Sequence, residues 1–264
     1  MNCKRIDLPR QNGFLELYLP SNSHKLDTNY RRPMVLICPG GGYVYTSDRE
    51  ADPIALSFCT RGFAACVLRY PVKPARYPAS LLSAAYAVAW LRRNAEDCEI
   101  DPNRIFICGF SAGGHLAASL GVFWNSPELQ AATGLSAEEM RPNKQVLCYP
   151  VITSGPFAHR ASFDNLLIGR EDADTLREKL SLENQVSADT PPTFLWHTYT
   201  DPAVPVENTL LFANALRRAE VPFELHIYSV GNHGLSLATE ETGSPQPECT
   251  GWLQLAADWM LRDQ

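Results

Sequence analysis

Short runs of uninterrupted apolar residues recur along the chain: Met34 to Cys38, Ala64 to Arg69, Ile105 to Cys108, Val146 to Tyr149 and Thr193 to His197. Runs of this length without a polar alternation fit parallel strands covered on both faces. Gly13 to Leu19 and the alternating Phe223 to Tyr228 read as further strands at the two ends of the series. Between them the period changes. From Ala79 to Asn94 the apolar residues Leu82, Ala85, Tyr86, Ala89 and Trp90 recur at helical spacing. Helices are also expected after Ser111, from Val204 to Arg218, and from about Thr250 to Arg262, where Leu253, Ala256, Ala257 and Met260 share one stripe. Such alternation predicts an α/β fold: a mostly parallel, doubly wound sheet with helices on both faces and right-handed crossovers.

Two stretches interrupt this rhythm. Residues 154–189 hold a charged helical segment, Glu171 to Lys179, between polar loops, and read as a small cap inserted into one domain spanning 1–264. A surface excursion without contact to substrate is the alternative. Residues 235–248 are rich in Pro, Ser and Thr and are expected to form a mobile loop.

The strand Arg104 to Cys108 runs into Gly109-Phe110-Ser111-Ala112-Gly113-Gly114, and a small-residue helix opens directly after it. Strand, sharp turn with one serine, and helix make a G-x-S-x-G nucleophile elbow. A serine at the apex is forced into strained backbone, so its neighbours two positions away must lack bulk. The helix start aims free N–H groups, that of Ala112 among them, at the same point and favours an oxyanion there. A glycine-rich turn that binds phosphate or merely packs tightly is the competing reading.

A nucleophilic serine needs a base, and the base an orienting acid. The chain has six histidines. His233 lies in the loop Gly231-Asn232-His233-Gly234 just past a late strand, where it can reach the elbow. His226 falls inside that strand, His115 begins the helix after the elbow, and His197 ends a strand as a supporting candidate. His24 and His159 lie in polar loops. For the acid, Asp201 follows the strand Thr193 to His197, and carboxyl-terminal strand ends are where open parallel sheets place functional groups. A plain turn or cap role for Asp201 competes with this, and Glu207 is the fallback acid. The order Ser111, Asp201, His233 is that of α/β-hydrolases. Pro39-Gly40-Gly41-Gly42-Tyr43 follows the strand ending at Cys38, and its glycines allow backbone N–H groups of Gly41 and Gly42 to face an oxyanion as an HGGG-type loop does. Pro39 stands where that motif has histidine.

These motifs, with Pro191-Pro192-Thr193-Phe194-Leu195-Trp196-His197 and Val204-Pro205-Val206-Glu207-Asn208, resemble the α/β-hydrolase esterases related to hormone-sensitive lipase, and more closely the bacterial carbohydrate acetyl esterases of acetylxylan-esterase type. The resemblance runs from about Leu17 to Met260. It implies Ser111 as nucleophile, His233 as base, Asp201 as acid, and Gly41, Gly42 and Ala112 as oxyanion donors. It further implies removal of short acyl groups, acetyl from a sugar ester above all, without a cofactor. Tyr43 and Tyr45 after the oxyanion glycines, and Asn232 before the base, are expected to crowd the acyl side and the pocket rim. A serine peptidase of prolyl-oligopeptidase type and a non-catalytic binding protein on the same scaffold remain the alternatives.

Composition narrows the partners. At 264 residues, 45% hydrophobic, 20% charged and with a net charge of −6, the chain has no basic stripe for nucleic acid and a balance that disfavours an anionic membrane surface. The expected partner is a small-molecule or oligosaccharide ester; a homo-oligomer is left open. No metal-ligand spacing occurs. Of the eight cysteines, Cys38, Cys66, Cys108 and Cys148 lie in or at the end of apolar strands, no C-x-x-C occurs, and reduced core thiols are expected. With no apolar stretch near Met1 to Pro9 suited to a signal peptide, a cytoplasmic protein is the expectation.

Overall fold

The structure is a computed structural model of the chain and describes residues 1–9, 13–22, 26 and 29–262; His24 lies outside them. Its centre is an eight-stranded sheet in the order β1-β2-β4-β3-β5-β6-β7-β8. The strands are β1 (Asn2–Asp7), β2 (Phe14–Leu19), β3 (Arg32–Cys38), β4 (Ala64–Arg69), β5 (Ile100–Phe110), β6 (Lys144–Cys148), β7 (Thr193–Thr198) and β8 (Phe223–Tyr228). The β1–β2 and β2–β4 pairs are antiparallel, and every pairing from β4 to β8 is parallel.

The unalternating apolar runs acquire their reason here. Along β3, Met34, Leu36 and Cys38 point into one core and Val35 and Ile37 into the other. Along β5, Ile105 and Ile107 share the first core, and Phe106, Cys108 and Phe110 the second. The first core is covered by α2 (Ala79–Arg93), α3 (Ala112–Phe123) and α8 (Glu207–Arg218). The second is covered by α1 (Asp52–Cys59) and α9 (Trp252–Leu261). Both strand faces are therefore removed from water, as a doubly wound sheet requires. Every residue of α3 is buried, which is why it lacks a polar stripe.

Four further short helices complete the chain: α4 (Pro127–Thr133), α5 (Ala137–Met140), α6 (Arg160–Leu166) and α7 (Ala173–Lys179). The last two lie within 154–189 and bury Phe163, Leu166 and Leu176 against the first core. Among the described residues no helix is long and apolar enough to cross a membrane. All eight cysteines are free thiols.

Several expectations need correction. β1 has no apolar run; it is an exposed edge strand held by antiparallel pairing to β2, so no hydrophobic pattern announces it. α8 starts at Glu207 rather than Val204, because the residues before it are held in a turn by Asp201. The 235–248 loop is packed. Leu235, Ser236, Ala238 and Thr242 are buried, and the Ser236 carbonyl accepts from Trp252 Nε1 at 2.8 Å.

Candidate active site

The parallel strands deliver their carboxyl ends to one edge of the sheet, and the candidate residues lie in the loops that leave it. Ser111 sits between the end of β5 and the start of α3 with φ 53° and ψ −119°. A non-glycine residue held there is strained, and it persists because its surroundings fix it. Its N–H donates to the Cys148 carbonyl at 3.0 Å, and its own carbonyl accepts from His115 at 3.1 Å and Val151 at 3.0 Å. The flanking glycines are steric necessities: a Cβ on Gly113 would lie 2.1 Å from the Cys38 carbonyl oxygen, and one on Gly109 2.2 Å from that of Gly113.

The structure brings Ser111, His233 and Asp201 into one hydrogen-bonded line. Ser111 Oγ is 2.7 Å from His233 Nε2, and His233 Nδ1 is 2.6 Å from Asp201 Oδ2. Facing a carboxylate, Nδ1 is the protonated nitrogen; Nε2 then accepts from the hydroxyl. The two readings of Asp201 prove compatible. Its Oδ1 accepts from the N–H groups of Ala203 and Val204, each at 2.9 Å, while Oδ2 serves His233.

His197 adds a second imidazole to the same carboxylate. Its Nε2 lies 3.3 Å from Asp201 Oδ2 and 3.0 Å from the Val204 carbonyl oxygen. Both neighbours accept only, so Nε2 carries the proton, and Thr209 Oγ1 donates to Nδ1 at 2.7 Å. Burial pushes the Asp201 pKa up, but hydrogen bonds from His197 and His233, the His233 charge and the Val204 N–H outweigh it and hold the carboxyl well below the usual range. Glu207, first residue of α8, takes no part in this line.

The glycine loop packs against the serine, since a Cβ on Gly40 would lie 3.0 Å from Ser111 Cβ. Gly41 has φ 125°, and a Cβ there would meet the Tyr45 carbonyl oxygen at 2.1 Å. Among the described residues no acceptor within the chain takes the N–H of Gly41 or Gly42. The N–H of Ala112, first residue of α3, is one of those that a helix leaves without an intrahelical partner.

Tyr43 is buried, and its hydroxyl donates to His115 Nδ1 at 2.8 Å; His115 Nε2 in turn donates to the Leu180 carbonyl at 3.0 Å. With Val151, Ser162, Phe163 and Leu166 they line a gap too small to hold a water molecule, next to the elbow through the bonds from His115 and Val151 to the Ser111 carbonyl. The other two residues expected at this wall, Tyr45 and Asn232, do not line the gap. Tyr45 is 61% exposed, and Asn232 is exposed. Bulk comes instead from residues of 154–189 whose approach depends on tertiary packing. His159, expected in a polar loop, lies within electrostatic reach of His233 and Asp201; burial, then the His233 charge, lowers its pKa.

Two buried residues behind the line escaped sequence reading. Glu50 accepts from the Gly40 N–H at 2.7 Å and from the Tyr149 hydroxyl at 2.7 Å. The Tyr149 ring stands edge-on to His233 with centroids 5.1 Å apart. Neither carries a local signal, since the two meet only across 99 residues of chain.

Comparison with known proteins places this geometry in a family. The BD-FAE family model matches residues 15–216. Endo-1,4-beta-xylanase B of Butyrivibrio fibrisolvens is 39% identical over 80% of this chain and 34% of its own length. An acetylxylan esterase of Xylanibacter ruminicola is 31% identical over 76% of this chain and 40% of its own. The chain thus spans well under half the length of these two curated relatives. Among solved structures, an acetyl ester-xyloside bifunctional hydrolase from Caldicellulosiruptor lactoaceticus is 40% identical, with a TM-score of 0.82 over 96% of this chain and 91% of that one. A carboxylesterase from Lactobacillus plantarum is 27% identical, with a TM-score of 0.86 over 100% of both chains. With the elbow, the glycine loop and the sheet order on one scaffold, the chain has the α/β-hydrolase fold and belongs to the BD-FAE family.

Proposed function

We propose that the chain is a serine carboxylesterase that removes short acyl groups, acetyl above all, from a carbohydrate ester. The observation that carries this reading is the continuous line from Ser111 Oγ through the His233 ring to Asp201, at 2.7 Å and 2.6 Å.

His233 Nε2 takes the hydroxyl proton as Ser111 Oγ attacks the ester carbonyl carbon. The carbonyl oxygen becomes an oxyanion that takes hydrogen bonds from the N–H groups of Gly41, Gly42 and Ala112; among the described residues, those of Gly41 and Gly42 have no backbone acceptor to give up. Asp201 stabilises the imidazolium and keeps its tautomer, with His197 holding the carboxylate from behind. The C–O bond to the alcohol then breaks, and His233 returns the proton to the leaving oxygen. Water, deprotonated by the same nitrogen, attacks the acyl-enzyme, and carboxylate and free Ser111 result.

The leaving oxygen must face His233, so the acyl chain lies on the opposite side, toward the gap bounded by Tyr43, His115 and Phe163. That gap is filled by its own lining, so an acyl group pointing at it can be no longer than acetyl. Phe163 also lines a cleft of about 330 Å³ formed by residues of 154–189, with Ser154, Arg160, Asp164, Asp174 and Arg177 in its lining. Its donors and acceptors suit a sugar, and 154–189 acts as a cap over the substrate. Relatives named as an acetylxylan esterase and an acetyl ester-xyloside hydrolase support a xylan-type alcohol.

The test is acetate release from acetylated xylo-, manno- and chito-oligosaccharides by the unaltered chain and by Ser111→Ala. Release by the first alone supports the reading. Cleavage of proline-containing peptides in place of esters would favour a peptidase.

A further inference from the structure

The turn Asp48–Glu50 lies between the two loops that must be held in register for this chemistry. On one side is the glycine loop. Glu50 is buried at 3% exposure and its Oε2 accepts from the Gly40 N–H at 2.7 Å, while the Gly40 carbonyl accepts from Ser47 at 3.0 Å. Gly40 is thereby fixed through both its N–H and its carbonyl, immediately before Gly41 and Gly42. On the other side is the loop that carries His233. Arg49 Nη1 donates to the Thr242 carbonyl at 3.1 Å and to Ser244 Oγ at 3.2 Å, and the Arg49 carbonyl accepts from Ser236 Oγ.

Tyr149 closes the frame. Its hydroxyl accepts from the Ser236 N–H at 2.9 Å, so its single proton is free to go to Glu50 Oε1 at 2.7 Å. Both carboxylate oxygens of Glu50 thus accept from neutral donors, an arrangement that satisfies the ionised form. Burial raises the pKa, and the two hydrogen bonds, with the charges of His233 and Arg49, oppose the rise. A buried carboxylate is costly unless its partners are in place. Retaining one here gives the loops a joint with directional, charge-assisted bonds on both sides.

We propose that Glu50 is a positioning residue for the esterase reaction: its buried carboxylate locks the oxyanion turn at Gly40 to Tyr149 and, through it, to the His233 loop. Glu50 touches neither substrate nor Ser111 Oγ. It sets the orientation in which the Gly41 and Gly42 N–H groups meet the oxyanion, so its contribution falls on the transition state and not on ester binding.

The inference rests on the serine-esterase reading, and failure of that reading registers in the unaltered chain, as absent ester turnover and absent binding of phenylboronic acid, a mimic of the tetrahedral adduct. Glu50→Gln preserves volume but offers one acceptor where two are needed, leaving either Gly40 or Tyr149 facing an amide N–H. Its kcat on p-nitrophenyl acetate is expected to fall on the order of 10²-fold, as a displaced catalytic geometry costs, with KM within about threefold. Its affinity for phenylboronic acid falls by a similar factor. A folded Glu50→Gln with unchanged kcat and boronate affinity overturns the proposal, as does a loss that appears in KM instead of kcat. Should Glu50→Gln not fold, Tyr149→Phe decides: it keeps the ring beside His233 and removes one donor to the carboxylate, and kcat should fall roughly tenfold at constant KM. A Tyr149→Phe variant with the kcat of the unaltered chain overturns the proposal equally.

Discussion

The Tyr43 hydroxyl and His115 Nδ1 meet at 2.8 Å, joining the residue after the oxyanion glycines to the helix that begins beside Ser111. Phe163 stands edge-on to the same imidazole, with ring centroids 5.2 Å apart. On the esterase reading proposed above, these side chains, which hold one another, wall the acyl side.

This wall predicts acyl preference. Each methylene accepted by an open apolar pocket adds about 0.8 kcal/mol of binding, whereas a filled one adds nothing and clashes. Turnover of p-nitrophenyl esters should fall from acetate to butyrate and nearly vanish at decanoate. Phe163→Ala should raise the butyrate-to-acetate ratio of kcat/KM. A ratio unchanged in that variant would place the acyl chain elsewhere, and kcat/KM rising from acetate to decanoate in the unaltered chain would point to a lipase-like enzyme.

His115 also predicts how stability responds to acid. Burial holds its pKa down to about 4, against 6.5 for the free side chain, despite the opposing bond to Leu180. Between these values the unfolded chain binds a proton that the folded one refuses. Stability contributed by the neutral imidazole is therefore complete above about pH 6.5 and is lost as pH falls toward about 4, up to about 3 kcal/mol. His115→Gln carries no such group. Its melting temperature should fall less steeply over that range than that of the unaltered chain; parallel slopes would refute the assignment.

Asp201 carries a sharper mutational prediction. Asp201→Asn should lower kcat by about 10⁴, because an amide stabilises the wrong tautomer and cannot balance an imidazolium. Glu207→Gln, at the start of α8, should leave kcat nearly unchanged. The carboxyl's depressed pKa has its own sign. Asp201 stabilises the fold above its unfolded pKa of about 3.9 and loses that contribution only as pH falls below it. The carboxylate therefore stays ionised through mild acidification, and its contribution to stability should be unchanged there. A melting temperature whose pH dependence differs between the unaltered chain and Asp201→Asn above about pH 5 would contradict this.

What the sequence makes legible and what it hides follow from the range of the interactions. β3, β5, β6 and β7 are visible as apolar runs because both their faces are buried, and Ser111 is visible because its turn demands glycine at 109 and 113 within a few residues. Asp201 and His233 are found by their places after late strands. β1 is hidden because an edge strand needs pairing more than hydrophobicity. The 235–248 loop reads as mobile from composition, yet it is anchored by Arg49, Tyr149 and Trp252, all remote in sequence. Glu50 and Tyr149 are invisible for the same reason: 99 residues separate them, and no local pattern marks a buried carboxylate that meets its donors only in the folded chain. Tyr45 reads like Tyr43, but the turn at Gly41 to Tyr43 sends one ring inward and the other to solvent.

On the proposed reading Ser111 is the nucleophile, and its activation depends on His233 and Asp201. Mass spectrometry of the intact and digested protein after reaction with an organophosphonate tests it most directly. The account predicts a single adduct, located on Ser111, formed in step with loss of esterase activity and absent from Ser111→Ala, whose kcat should fall on the order of 10⁶-fold. An adduct on another serine such as Ser119, or full inactivation with Ser111 unmodified, would contradict it.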